Sequence, residues 1–330
     1  MKKVYIVLLN YNGSGDTIEC LESLLKLEYR HYQVLVVDNS DTMGCFDRLI
    51  EWAEGKTIEI KTDYERLVYP LSAKPVDYAA VSESEFLEAP RSEKVVFIKA
   101  KKNKGFAAGN NIALRHILKF GDQDSFTWLL NNDTVAEKQS LAALAAFADR
   151  RENVKTGIIG SRLVYYYNPT MLQAIGGTFN ETFLISMHEG EGCPVNTPKA
   201  DFGPIDYVVG ASMFVRQEFL LDVGPLSEDY FLYYEELDWT YRAKEKGWGI
   251  DWCSDAVVYH KEGASIGSSY RAEKSLFSET EVFKSRKIFT KKFYGLSLRF
   301  YLSSILLIAN RLRKGNFKAA GAVTKITFAR

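Results

Sequence analysis

The chain has 330 residues, 46% of them hydrophobic, with 42 basic and 42 acidic side chains. Such a length and apolar content call for a large buried core, in one domain with an appendage or in two domains. The balanced charge removes the electrostatic argument for a nucleic-acid partner, and four scattered cysteines (Cys20, Cys45, Cys193, Cys253) without CxxC spacing exclude a zinc module and a disulfide scaffold and suit a reducing cytoplasm.

The opening MKKVYIVLLNYNG carries two lysines and an apolar run that stops at Leu9. That run is too short for the core of a signal peptide and no small-residue cleavage site follows, so it is predicted to be a first buried strand. Residues 4–9, 34–37, 95–98 and 128–130 are short continuous apolar runs, the signature of strands buried on both faces. Between them, Asp16 begins a helix with Ile18, Leu21, Leu24 and Leu25 on one face, and residues 112–118 and 141–147 repeat the helical period. This βαβα alternation predicts a doubly wound, mostly parallel α/β sheet through Arg150. Residues 51–91 interrupt it with an acidic, aromatic-rich stretch that shows no regular period. Later, residues 207–215 are expected to form a strand, 235–246 a helix, 255–259 a short strand, and the tail from Ser275 onward helices. No Asp or Glu follows Glu281, whereas twelve Lys or Arg do. The uninterrupted apolar part of that tail, residues 305–309, is far shorter than the ~20 residues of a spanning helix. An amphipathic helix on an anionic membrane surface fits; so does a helical subdomain or homodimer interface.

Three polar clusters end predicted strands: Asn10-Tyr11-Asn12-Gly13, Asp38-Asn39-Ser40 and Asn131-Asn132-Asp133-Thr134. Each alone reads as a turn, but open parallel sheets bind ligands beyond the carboxyl ends of their strands, and three clusters on one edge favour a site. The loop from Asn103 through Gly105 to Asn110 precedes a helix, where backbone amides suit phosphate, although neither GxGxxG nor GxxxxGK[ST] is present. Asp133 beside uncharged asparagines suits Mg²⁺ or Mn²⁺ held mainly through substrate phosphates, or else caps the next helix. His260 could add a ligand or serve structure. In FLYYEELDW, residues 231–239, Glu235 and Asp238 share a helical face, with Arg242 placed to pair with Asp238, and both acids complement the helix dipole. Glu236 finds only Trp239 and Thr240 at the corresponding spacings. Among Tyr233, Tyr234 and Trp239 it can be desolvated and raised toward the pKa of a general base.

The motifs NYNG, VVDNS, NKGFAAGNN, LLNNDT, VVGASMFV, DVGPLSEDYFLYYEELDWTYR and VVYHKEGAS follow in order from Val4 to about Ser265. In this order the chain resembles the inverting glycosyltransferases of family 2 with a GT-A fold, in particular a rhamnosyltransferase-like branch. The resemblance implies a GT-A domain over residues 1–270, with an insertion at about 51–91, and a basic helical extension over 271–330. It implies a nucleotide diphosphate sugar donor (dTDP, UDP or GDP), a divalent metal and transfer with inversion; a saccharide or lipid-linked saccharide acceptor in cell-surface polysaccharide synthesis is expected, in the cytoplasm, and peripheral at the inner face of the membrane if the basic tail docks there. By position, Asn10, Asn12, Asp38 and Asn39 would frame the base and ribose, Asn103, Gly105 and Asn110 the donor loop, and Asn131, Asn132 and Asp133 the DxD-like element. Asp133 would be the metal ligand and His260 the late histidine near metal and diphosphate. Glu236 stands where the family usually has an aspartate general base; being one methylene longer, it either sets the acceptor slightly further away or shares the role with Glu235. A nucleotidyltransferase should carry a lysine-rich loop after its first strand, which NYNGSGD lacks; a non-catalytic sugar-nucleotide binder would have little need of Glu236.

Overall fold

The computed structural model describes residues 1–56, 59–261 and 275–329. The apolar runs of the first half become β1 (Lys3–Asn10), β2 (Tyr32–Asp38), β3 (Tyr78–Ser82), β4 (Val95–Lys99) and β5 (Ser125–Asn131). They are parallel and stand in the order β3-β4-β2-β1-β5. Between them run α1 (Ser14–Leu24), α2 (Gly44–Glu54), α3 (Glu65–Val68), α4 (Glu83–Glu88) and α5 (Phe106–Phe120). The chain builds outward from β1 on one side, then adds β5 on the other, so strand order reverses at β1. In a doubly wound sheet that reversal opens a crevice beyond the strands' carboxyl ends. Register sets the clusters side by side there, Asn10 opposite Asp38 and Leu9 opposite Asn131.

The stretch 51–91 is regular after all. Its first residues finish α2, which stops at Gly55 in the left-handed conformation (φ 91°). The remainder supplies α3, the edge strand β3 and α4, and α4 opens with a Ser82–Glu85 capping box legible in the sequence SESE. Buried Glu22 of α1 anchors the segment, accepting hydrogen bonds from Trp52 Nε1 (2.9 Å), the Ser72 amide (2.8 Å) and Lys74 Nζ (2.9 Å).

The second half comprises β6 (Thr134–Ala136), α6 (Ser140–Ala148), β7 (Thr156–Tyr165), β8 (Asn168–Ala174), β9 (Gly176–Asn180), β10 (Ile185–Glu189), β11 (Ser212–Arg216), α7 (Gln217–Val223), α8 (Glu235–Glu245) and β12 (Gly249–His260). The sheet continues β5-β11-β7-β12-β6, with β8 paired to β7, while β9 and β10 form a separate hairpin. The strand expected at 207–215 begins only at Ser212, Tyr207 making an isolated bridge to Gly177. The short strand expected at 255–259 is the end of the twelve-residue β12. Strands β7 to β10 carry no clean period-two pattern: β7 is buried almost throughout, β8 passes from an exposed to a buried half, and β10 is largely exposed.

The basic tail forms α9 (Leu276–Phe293), α10 (Leu298–Arg313) and α11 (Phe317–Phe328). The domain boundary expected at 270/271, and Glu262 to Ser265 of the last motif, lie outside the described residues. On α9, Phe289 is fully buried against Tyr234, Tyr241 and Phe179, a burial worth about 1.5–3 kcal/mol for such a side chain. Buried Arg286 donates to Leu184 O (2.8 Å), Phe183 O (3.1 Å), Ser304 Oγ (2.8 Å) and Ser303 Oγ (2.5 Å), tying α9 to α10 and to the β9–β10 turn.

Candidate active site

Three hydrogen-bonded groups occupy the crevice. In the first, Asn10 donates from Nδ2 to Asp38 Oδ1 (2.7 Å) and accepts at Oδ1 from Thr17 Oγ1 (2.9 Å). Asp38 also accepts from Ser40 Oγ (2.6 Å) and Lys99 Nζ (2.8 Å), so its carboxylate, sealed from solvent, is fully partnered. Asn132 turns inward to the same net, its Nδ2 donating to Thr17 Oγ1 (2.9 Å). Asn10, Asp38 and Asn132 thus brace the strand ends against α1. Asn12, in the left-handed region at φ 54°, stays exposed, and its amide donates to Ser40 Oγ (2.9 Å).

The second group is the donor loop. Asn103 Oδ1 accepts from the Gly105 amide (2.9 Å), and Asn39 Nδ2 donates to Gly105 O (3.3 Å). Gly105 has φ 98°, and a Cβ there would lie 2.2 Å from the Phe231 carbonyl oxygen. The Phe106 amide donates to that same carbonyl (2.8 Å). Only glycine lets the loop close on the FLYYEELDW segment this tightly. Asn110 is apart from the crevice polar groups, its Nδ2 bonded to Phe106 O one turn back (3.0 Å).

The third group joins Asp133, Asn131 and His260. His260 Nε2 lies 3.2 Å from Asp133 Oδ1 and 3.3 Å from Asn131 Nδ2, and its Nδ1 meets Gln173 Oε1 at 2.8 Å. An amide oxygen can only accept, so Nδ1 carries a proton toward Gln173, and Nε2 faces the Asp133 carboxylate. That is a ligand pair oriented by an outer partner. Neighbouring ligands on an octahedron with bonds of about 2.1 Å stand about 3 Å apart, so the 3.2 Å between Asp133 and His260 is a spacing at which the two could hold a divalent ion. Among the described residues no three of His, Cys, Asp and Glu come together.

The carboxylates of FLYYEELDW divide differently from the helix-electrostatics expectation. Asp238 does pair with Arg242 (Nε to Oδ1, 2.7 Å), and it also takes Lys292 Nζ (2.6 Å) and Tyr230 OH (3.0 Å) at Oδ2. Glu235, however, is buried rather than a solvated first-turn acid, and its Oε2 has no hydrogen-bond partner among the described residues. Glu236 Oε2 is equally sealed and unpartnered. Burial pushes the Glu236 carboxyl up to about 7; burial and then the neighbouring Glu236 charge hold Glu235 well above the usual carboxylate range. Both carboxyls therefore hold their protons to higher pH than an ordinary glutamate, and Glu236 exchanges its proton near neutrality. Both follow Tyr233 and Tyr234, each left-handed (φ 70° and 71°), a strain of about 1–3 kcal/mol per residue that surrounding contacts must offset. α9 supplies those contacts at a seven-residue spacing: Ser278 Oγ with Tyr233 OH (2.7 Å), Ser285 Oγ to Leu232 O (2.7 Å) and Lys292 to Asp238. Two helical turns apart, the three share one stripe of the helix.

Residues 64–274 match a protein family described as glycosyltransferase like family 2. The chain belongs to this family. As a family 2 glycosyltransferase it is similar, at 23% identity over 207 residues, to the low-salt glycan biosynthesis hexosyltransferase Agl10 of Haloferax volcanii. That match covers 62% of this chain and spans 63% of the curated relative's length. Among solved structures the glycosyltransferase superposes on the mannosyltransferase PcManGT from Pyrobaculum calidifontis in complex with GDP-Man and Mn²⁺ (TM-score 0.52, 13% identity, 98% of this chain and 73% of that one). It also superposes on GalNAc-T7 with UDP, GalNAc and Mn²⁺ (TM-score 0.58, 12% identity, 88% of this chain and 48% of that one). The large, mostly parallel sheet with its flanking helices is a GT-A fold, followed by C-terminal helices.

Sequence reading missed Gln173, Lys99 and the α9 stripe. Gln173 sits in β8, which had no legible pattern, and Lys292 is 54 residues from Asp238. The seven-residue repeat Ser278, Ser285, Lys292 was the one available signal, and nothing in the sequence named its partner.

Proposed function

We propose that this glycosyltransferase moves a sugar from a nucleotide diphosphate sugar to a saccharide or lipid-linked saccharide hydroxyl, with inversion at the anomeric carbon and Glu236 as general base. The observation that carries this reading is Glu236, whose Oε2 is sealed without a hydrogen-bond partner among the described residues and whose carboxyl is pushed by burial up to about 7. Such a group accepts the hydroxyl proton as the acceptor oxygen bonds to the anomeric carbon and the bond to the diphosphate breaks. Glu235, whose carboxyl burial and the neighbouring Glu236 charge hold above the usual range, disfavours a second negative charge beside the base.

Asp133 and His260 would hold the divalent ion, and the nitrogen donor favours Mn²⁺ over the oxygen-seeking Mg²⁺. Bound there, the ion would neutralise charge developing on the leaving diphosphate. The Mn²⁺ complexes of PcManGT with GDP-Man and of GalNAc-T7 with UDP support the same ligand classes. The hexosyltransferase relative supports a hexose, and the rhamnosyltransferase-like motif order supports rhamnose. Asn39, Asn103 and Gly105 would shape the sugar-nucleotide side, on the frame held by Asn10, Asp38 and Asn132. A cavity of about 370 Å³ lined by Phe231, Phe277, Glu281 and Lys284 lies between the FLYYEELDW segment and α9, and its two aromatic rings would stack on acceptor sugar.

A thermal-shift panel of dTDP-, UDP- and GDP-sugars, with and without Mn²⁺, identifies the donor, since a ligand of the folded state raises its stability. Glu236→Gln should then bind that donor normally while transfer falls by about 10²–10⁴. Near-wild-type turnover in Glu236→Gln with an inactive Glu235→Gln would move the base to Glu235. A product retaining the donor's anomeric configuration by NMR would refute inversion.

A further inference from the structure

α10 is turned inside out. Its inward face carries Ser303 and Ser304, buried on Arg286, together with Phe300. Its outward face carries Leu298, Leu302, Ile305, Leu306 and Leu312, all between 47% and 72% exposed. At 3.6 residues per turn these five fall within about 120° of arc and run for about 21 Å. A surface helix of a globular protein normally shows the reverse arrangement, and an apolar patch with a polar rim marks a contact surface.

The rim is cationic. Arg299, Arg313, Lys314 and Lys318 are exposed around it, and no acidic residue follows Glu281 to balance them. Arg311 is already paired with Glu279 (3.0 Å). A two-fold dimer would set this basic rim against itself, because an isologous interface uses the same patch twice. Among the described residues no helix is long and apolar enough to cross a membrane. We propose that the outward face of α10, with the start of α11, docks on an anionic bilayer surface, its leucines entering the acyl boundary and its cations meeting the lipid headgroups. The inference stands independently of the catalytic reading.

Flotation of the full chain with vesicles tests it. The protein should float with vesicles of phosphatidylcholine and phosphatidylglycerol, stay behind with phosphatidylcholine alone, and lose binding at high salt. Leu302→Glu combined with Leu306→Glu, at exposed positions, should leave the melting temperature unchanged and abolish flotation. Lys314→Ala combined with Lys318→Ala should weaken binding to the anionic vesicles about thirtyfold, each cation near such a surface contributing about a factor of five; should the glutamate variant melt early, this lysine variant decides. Failure to float with either vesicle, equal binding to both, or a wild-type dimer that the glutamate variant dissociates would each overturn the proposal.

Discussion

Glu236→Gln is expected to raise stability above neutral pH while stopping transfer. In the folded protein the Glu236 carboxyl is carried from 4.5 to about 7 because burial disfavours its ionised form. A raised value means that the folded state binds more protons than the unfolded chain between these two pH values, so stability falls as pH rises through that window and the full penalty stands above it. At about 1.4 kcal/mol for each tenfold change in proton affinity, the penalty is about 3 kcal/mol. Unfolding entropy near 2.1 cal/mol/K per residue makes that about 4 °C in melting temperature for a chain of this size. Calorimetric melts of wild type and Glu236→Gln without donor should nearly coincide around pH 4.5 and separate by about 4 °C around pH 8, the glutamine variant melting higher. Transfer by the wild type should rise with pH through the same region as the base loses its proton. A difference independent of pH, or a glutamine variant that melts lower at high pH, would mean that the carboxylate is paired or solvated in the folded state, and the reasoning from burial to base would fail.

Gly105→Ala should lower the urea midpoint by a strain of about 1–3 kcal/mol and weaken donor binding, because its Cβ would sit 2.2 Å from Phe231 O at φ 98°. Gln173→Ala should weaken Mn²⁺ binding about 10–100-fold in a titration, since the outer partner sets the His260 tautomer, and cost about 1–3 kcal/mol of metal-free stability by leaving the buried His260 Nδ1 unpartnered. Lys292→Met should lower kcat while donor Kd holds, as Asp238 keeps Arg242 and Tyr230 but loses its tie to α9; with Lys292 about a third exposed, the stability cost should be about 1 kcal/mol, and Lys292→Arg should restore much of the rate.

The sheet's first half was legible because its strands are buried on both faces and therefore written as unbroken runs of Val, Ile and Leu, with helical period between them. The polar clusters at their carboxyl ends could be placed on one edge for the same reason, and Asp238 with Arg242 followed from helical spacing alone. Residues 51–91 were less legible, their elements being short and partly exposed, although the Ser82–Glu85 cap was there to be read. Strands β8 to β10 alternate too weakly for period to reveal them, and with them Gln173 was lost.

By itself, the sequence determined the order of elements, the edge on which polar groups gather, and the residue types from which chemistry is built, because periodicity, turn propensity and spacing are local properties. Tertiary structure alone decided the roles of those residues. Asp38 and Asn132 became internal braces because partners distant in the chain satisfy them, while Glu235 and Glu236 became proton-holding groups because burial leaves Oε2 of each without a partner among the described residues. The aromatic neighbours within FLYYEELDW hinted at the desolvation of Glu236, but its extent comes from packing among chain segments brought together by the fold.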